Sequence, residues 1–378
     1  MRFDILHALE NDGNARPWRE VLGQARRRIE LADRLGLDGF WVGEHHFDHL
    51  GIDQSPNPVL LLADLASRTT QIRIGIAAVI LPMWHPIRLA EDLAMLDNMT
   101  DGRLDVALSR GILQAEIINV NAEADRKDDA RSKAIFAERL EVLRACWRDD
   151  PVSWSSERFQ IPHPDTTWPA PATPYTDEDG HATGLAVLPR PAQPGGPPLY
   201  SVTDTVGGFE AAARQGLDVI TWYPTHGILD GLNEAFRAAR AQATHGVELQ
   251  DTCAILRGAL VAPTDEEARR LVEPEVEQSF EFIRRVRGIK VWLDEGEDPE
   301  DPRIAATKPY DLLLERDHLM VGSPDSVAER MIRLASKRGV RHFLLSPSLN
   351  EQDEYVERTM RLLADAVLPK VRAALGET

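Results

Sequence analysis

Short apolar runs alternate with amphipathic helical stretches along the chain, and that alternation predicts an α/β fold with parallel strands. The pairing repeats about eight times, the number of β-then-α units that closes a TIM (β/α)8 barrel. Two segments interrupt it, at 163–198 and at about 270–312, and the same rhythm resumes after each. Residues 1–378 are therefore expected to form one barrel domain carrying two insertions.

Residues 3–8 read as the first strand. Leu22, Ala25, Ile29 and Ala32 follow at steps of three and four until Gly36, the spacing of a helix with a glycine end. Residues 38–42 (DGFWV) form the second strand and 58–67 the second helix. The run 72–79 (IRIGIAAV) is the clearest buried strand. Pro86 suits the first turn of the next helix, whose Leu89, Leu93 and Leu96 share a face. Asp101-Gly102 turns the chain into a strand at 103–108, and helix is expected at 132–147. Strands at 198–202, 218–222 and 252–261 alternate with helices at 209–215 and 228–243, and a long helical stretch opens at 264–269. The last strand spans 341–345, and Pro369 should kink or split the last helix, 353–375.

The first insertion is rich in Pro, Gly and Thr and too long for an ordinary connection, so it is either a surface excursion or a lid. Within the second, 294–303 (DEGEDPEDPR) reads as an acidic, proline-interrupted loop.

A formal net charge of −18 argues against a nucleic-acid groove, which needs clustered Lys and Arg. The two cysteines, Cys146 and Cys253, offer neither a disulfide framework nor metal-ligand spacing. The opening MRFDILHALE, with Asp4 and Glu10, does not read as a signal peptide. No window approaches the roughly 18 apolar residues of a membrane span. A cytoplasmic protein without membrane or nucleic-acid partners is expected.

Glu44-His45-His46 follows the second strand, where barrel enzymes place catalytic groups. A metal site is the competing reading. Adjacent residues at a strand end point to opposite faces, so His45 and His46 are poorly placed to share an ion, and no HxH or HExxH spacing lies nearby. Ser109-Arg110-Gly111 ends the fourth strand, and an arginine there suits a phosphate or carboxylate. Ser109 has no recognisable base beside it. Thr203, Asp204, Thr205, Val206, Gly207 and Gly208 join the fifth strand to a helix. Hydroxyls and glycines at a helix start make a phosphate cradle, a reading compatible with ordinary capping by Asp204 or Thr205.

Together, Glu44-His45-His46-Phe47, the run 77–82 (AAVILP), His85-Pro86, Glu91-Asp92, Leu96-Asp97, Gly102-Arg103 and Ser109-Arg110-Gly111 resemble the bacterial luciferase-like flavin-dependent monooxygenases, and in particular the luciferase α-subunit. The resemblance continues through 199–212, the Trp222 strand and Val321-Gly322-Ser323-Pro324, and fails mainly across 163–195 and roughly 270–312. It implies that His45 is the catalytic histidine, that Ala77-Ala78 is a non-proline cis peptide beneath the flavin ring, and that Arg110 binds the flavin phosphate. It implies further that Arg131 is a second phosphate arginine, that Thr203, Asp204, Thr205, Gly207 and Gly208 hold the same phosphate, and that Trp222 lies near the ring. Ser109 replaces the reactive cysteine of the luciferase α-subunit, which argues against identical substrate chemistry, whereas retention of Arg110 favours a working flavin site.

The expected activity is a two-component monooxygenase. Reduced FMN, delivered by a separate flavin reductase, reacts with O2 to give a peroxyflavin that oxygenates a small organic substrate. A homodimer is expected from the resemblance alone. An F420-dependent oxidoreductase of the same superfamily, a non-catalytic flavin-binding or subunit-pairing protein, and a metal-dependent barrel hydrolase stand as alternatives.

Overall fold

A computed structural model describes residues 1–168, 173–222, 224–347, 349 and 352–377. Residues 169–172, inside the first expected insertion, lie outside the described residues.

The strands are β1 (Arg2–His7), β2 (Gly39–Val42), β3 (Arg73–Ile80), β4 (Leu104–Ser109), β5 (Trp154–Ser155), β6 (Gln160–Ile161), β7 (Leu199–Val202), β8 (Asp218–Thr221), β9 (Ala254–Val261), β10 (Leu319–Gly322) and β11 (His342–Ser346). The helices are α1 (Trp18–Arg34), α2 (Pro58–Ala66), α3 (Pro86–Met99), α4 (Gln114–Val120), α5 (Asp129–Arg148), α6 (Val206–Arg214), α7 (His226–Arg240), α8 (Asp265–Arg287), α9 (Pro302–Ala306), α10 (Pro309–Glu315), α11 (Pro324–Arg338), α12 (Asp353–Leu362) and α13 (Leu368–Ala374).

Eight strands close a parallel ring in the order β1, β2, β3, β4, β7, β8, β9, β11, with β8 pairing β9 and β11 pairing β1. These are the eight strands expected from the sequence, so the TIM barrel stands. The ninth, β10, pairs only the far half of β9, Leu319 opposite Gly258, and lies beside the ring. It was absent from the sequence reading because four residues (LMVG) carry too little periodicity to stand out. Several helices start where a side chain satisfies an orphan N–H group. Asn57 caps α2, Thr205 caps α6, and Thr264 caps α8 ahead of three acidic residues in its first turn. The last helix is split as Pro369 requires, by a π turn at Leu363–Val367 between α12 and α13.

The return leg of the first insertion is anchored far from the C-terminal ends of the strands. Gln193 Nε2 donates to Asp97 and to the Leu104 carbonyl at the start of β4, and Arg190 donates to the carbonyls of Cys146 and Asp149. The second insertion is mostly helical. Phe280 stacks on Trp292 at 4.2 Å, and Tyr310, Leu312 and Leu313 complete a separate apolar cluster under β10.

Inside the ring, Trp41 packs edge-on against Tyr200 at 5.6 Å. Below them lies a charged plug. Asp4 accepts from Trp41 Nε1 at 2.6 Å and Arg2 Nε at 3.0 Å, and lies 2.8 Å from His342 Nε2. Arg2 and Arg73 both reach Asp105. Gly39 and Gly75 make room for it, since a Cβ would fall 2.6 Å from the Asp4 carboxyl carbon and 2.1 Å from the Trp41 ring respectively. No described helix is long and apolar enough to cross a membrane.

Burial alone would raise the Asp4 carboxyl, but the His342 and Arg2 charges hold it below its ordinary 3.8, at about 2. Its contribution to stability is therefore full above pH 4 or so and is lost as pH falls toward about 2. Asp4→Asn should cost about 3–5 kcal/mol of folding stability, as expected when one member of a buried ion pair is removed. Urea denaturation at neutral pH measures the loss, and a native midpoint would show that the plug does not carry the barrel.

Candidate functional site

The C-terminal ends of the strands carry the chemistry. His45 and His46 follow β2 and have separate partners. His45 Nδ1 lies 3.0 Å from Glu116 Oε1, and His46 Nε2 lies 3.0 Å from Glu44 Oε1. Glu44 also accepts from the Ile80 N–H at 2.8 Å and from Trp84 Nε1 at 3.0 Å. Trp84, whose role was not legible in the sequence, thus helps to fix the carboxylate that orders the β2 end. His85 stands at the start of α3 with its ring edge-on to Phe159 at 5.6 Å. Among the described residues no cluster of His, Cys, Asp and Glu is arranged to hold a metal.

Glu116 projects from α4 and is almost wholly buried, whereas about a third of the His45 side chain (34%) is exposed. The same Oε1 accepts the His46 backbone N–H at 2.9 Å. His45 lines a pocket of about 230 Å³ with Trp18, Phe47, Asp48, Asp53, Gln54 and Pro56. Asp53 is buried and accepts the Leu9 N–H at 3.1 Å, and burial pushes its carboxyl up to about 6. Asp48 is held by the N–H groups of Leu50, Gly51 and Asp53.

On the neighbouring strand, Ala77 and Ala78 are joined by a cis peptide, as the resemblance implied. The β3–β4 register shifts between Ile76 and Val79 around them. Both alanines pack over the Trp41–Tyr200 interior, and neither extends beyond a methyl group.

Arg110 follows β4. Its guanidinium reaches Asp129 at 2.8 Å and Ser132 Oγ at 3.3 Å, both on α5. Leu108 of β4 pairs with Ser201 of β7, so two residues further along the adjacent strands come Arg110 and Thr203. Thr205, not Asp204, is the helix cap, accepting the Gly208 N–H at 3.2 Å. Asp204 instead accepts Thr221 Oγ1 at 2.9 Å and the Trp222 N–H at 3.0 Å. A Cβ on Gly208 would fall 1.9 Å from Thr203 Oγ1, whereas Gly207 faces open space. Trp222 is 39% exposed. Its carbonyl accepts from Arg257, a fully buried guanidinium that also donates to the carbonyls of Leu256, Pro224 and Asp317. Burial pulls Arg257 down to about 10.

The structure therefore gathers His45 beyond β2, Ala77 and Ala78 on β3, Arg110 beyond β4, residues 203–208 beyond β7, and Trp222 beyond β8 around one mouth. Arg131 stands apart from the His45 pocket. It pairs with Glu123 at 3.0 Å and lines a pocket of about 340 Å³ with Arg139, Glu157, Arg158 and Phe159. Sequence reasoning missed Glu116, Asp53 and Arg257. The only signal for Glu116 is its place on the stretch after the β4 arginine, and nothing in spacing ties it to His45.

The sequence profile of the luciferase-like monooxygenase family matches residues 1–342. The N-acetyl-S-alkylcysteine monooxygenase of Bacillus subtilis is 26% identical over 356 residues, 93% of this chain and 94% of that protein. The oxygenase component of a flavin-dependent trigonelline monooxygenase from Acinetobacter baylyi is 27% identical over 219 residues, covering 58% of this chain and only 53% of that relative. The oxygenating constituent of 3,6-diketocamphane monooxygenase from Pseudomonas putida, solved in complex with FMN, superposes with a TM-score of 0.79 at 20% identity, covering 98% of each chain. An F420-dependent secondary alcohol dehydrogenase shares the fold less closely, with a TM-score of 0.67 at 18% identity over 98% of this chain and 99% of that one. At these identities the two structures speak for the fold alone. The family match over almost the whole barrel, on a mouth arranged in this way, makes this chain a member of the luciferase-like monooxygenase family.

Proposed function

We propose that this protein is the oxygenase component of a two-component monooxygenase, which takes reduced FMN from a separate flavin reductase and, with O2, oxygenates a small organic substrate. The observation that carries the reading is the order of groups around the mouth: a histidine beside a pocket, two small alanines on the next strand, then an arginine adjoining a capped helix start. Membership of the luciferase-like monooxygenase family, and the likeness to the oxygenase component of a flavin-dependent trigonelline monooxygenase, support the same assignment.

The residues present fit a flavin mononucleotide. Ala77 and Ala78 end in methyl groups, and a planar ring would pack against them over the Trp41–Tyr200 interior. At the far side Gly207 faces open space at the N-terminus of α6, and Arg110 supplies a fixed positive charge. Bound reduced FMN supplies the electrons with which O2 is activated. Arg110 would exchange its exposed partner Asp129 for the phosphate, and Thr203 and Thr205 would orient that group with their hydroxyls. Asp204 acts one step away: it holds the Trp222 backbone, and the partly exposed indole would stand near the ring. Arg131 would join the phosphate only by leaving Glu123, and it is the least supported of the set. His45 is the residue that moves a proton at the reacting centre.

Anaerobic titration with reduced FMN and, separately, reduced F420 tests the cofactor, and binding of F420 alone would move the enzyme to hydride transfer. Arg110→Ala should weaken FMN binding by roughly 10- to 150-fold, the worth of about 1.5–3 kcal/mol for a charged hydrogen bond. An unchanged Kd would place the phosphate elsewhere. His45→Ala should leave FMN affinity near native and lower kcat by roughly 10²- to 10⁴-fold in single-turnover oxygenation. Native kcat in that variant would remove His45 from the chemistry.

A further inference from the structure

Glu116 is 71 residues from His45 in the chain, yet its carboxylate is the group the imidazole leans on. Its Oε1 receives both the His45 ring nitrogen and the His46 N–H, while Oε2 is buried without a hydrogen-bond partner. A half-satisfied buried carboxylate is unfavourable unless a positive charge stands beside it. Among the described residues His45 is the cation that pairs with Glu116, and no lysine or arginine does so.

The other charges that face the ring have the same sign as Glu116. Asp53 and Asp48, both from the loop after β2, act on it from the pocket side. Its chain neighbours Glu44 and His46 satisfy each other at 3.0 Å. The second ring nitrogen, Nε2, has no hydrogen-bond partner among the described residues and belongs to a side chain that is partly exposed to the pocket.

We propose that Glu116 is the positioning residue of His45: it accepts the Nδ1–H hydrogen bond, fixes the ring so that Nε2 is presented to the pocket, and keeps the ring protonated so that His45 gives a proton rather than takes one. The electrostatics run the same way. Burial works against the charged ring, but the Glu116 hydrogen bond and the charges of Asp53, Glu116 and Asp48 outweigh it and hold the imidazole above its ordinary value. In the step itself the Nε2–H bond breaks, its proton passes to the oxyanion developing on the reactant, and the neutral ring regains a proton from solvent. The identity of that reactant rests on the proposed oxygenase reading, whereas the pairing of Glu116 with His45 does not.

Glu116→Gln keeps the side chain's size and an acceptor for the His46 N–H but removes the charge. Titration of the full chain, histidine-labelled and free of cofactor, reads His45 directly by NMR, with His45→Gln to identify its signal. The His45 midpoint should move toward acid in Glu116→Gln. Asp53→Asn should move it in the same direction. In turnover, Glu116→Gln should lose roughly tenfold or more in kcat at alkaline pH and progressively less as pH falls, because acid restores the ring proton. KM should stay near native. A folded Glu116→Gln protein with the native His45 midpoint would overturn the proposal, and so would a shift seen only in Asp53→Asn. A chain that never oxygenates any substrate would overturn the functional reading and leave the titration result standing.

Discussion

A buried aspartate closes this barrel. Asp4 stands inside the ring, where an ion left unpaired would be strongly unfavourable, and it draws in Trp41 from β2, His342 from β11 and Arg2 from β1. Arg2 and Arg73 then carry the network to Asp105 on β4, so five of the eight barrel strands meet in one set of charge-assisted contacts. Such a plug tolerates few geometries, which is why Gly39 and Gly75 sit where any side chain would collide with it. It also fills the N-terminal end of the interior. Toward the opposite end β3 presents the small side chains of Ala77 and Ala78.

Strand order then becomes an order of chemistry. Because β2, β3, β4, β7 and β8 are successive neighbours in the ring, the groups that follow them are laid out in the same sequence around the mouth. The β2 side is acidic, with Glu116, Asp53 and Asp48 around one imidazole. The β3 position is apolar, with the small side chains of Ala77 and Ala78. The β4 to β8 side carries Arg110 and the start of α6, with the buried Arg257 of β9 next to it. A molecule with a planar middle and an anionic tail would meet proton chemistry at one end of this arc and charge recognition at the other. Neither end needs to change when the substrate does.

The barrel was legible because its strands are apolar runs that end abruptly, and a strand end is where a barrel enzyme displays its polar groups. His45 and Arg110 are visible for that reason. Glu116 was not, since it reaches His45 through folding, from a seven-residue helix with little periodicity of its own. Asp53 was hidden in the same way, as one acid among several in the loop after β2. The choice between Thr205 and Asp204 as helix cap could not be settled by residue type, because both are good caps, and only the pairing of Asp204 with Thr221 and Trp222 decides it. Arg131 shows the converse limit. A resemblance in sequence located the residue, but the loop between β4 and α5 determines where its guanidinium goes, and here that is toward Glu123.

The two walls of the mouth are built with different firmness, and this bears on where substrate preference would be written. On the β8 side, the backbone on either side of residue 223 is held by Arg257 through the Trp222 and Pro224 carbonyls, and Thr225 is bonded to Asp294 of the second insertion. Asp294 and Glu297 both engage Arg316, with Glu297 gripping it through two short contacts of 2.6 and 2.7 Å. The loop that reads as acidic and proline-interrupted in the sequence is therefore a brace behind Trp222. On the β2 side, the wall is a loop gathered around Asp48, and it presents Phe47, Leu50 and Ile52 with large exposed apolar surfaces beside the His45 pocket. A braced wall suits a group that must bind in one orientation, such as a cofactor. A loop carrying exposed apolar side chains suits a partner whose shape can vary, and it can be altered without disturbing either the barrel plug or the Arg110 end of the mouth.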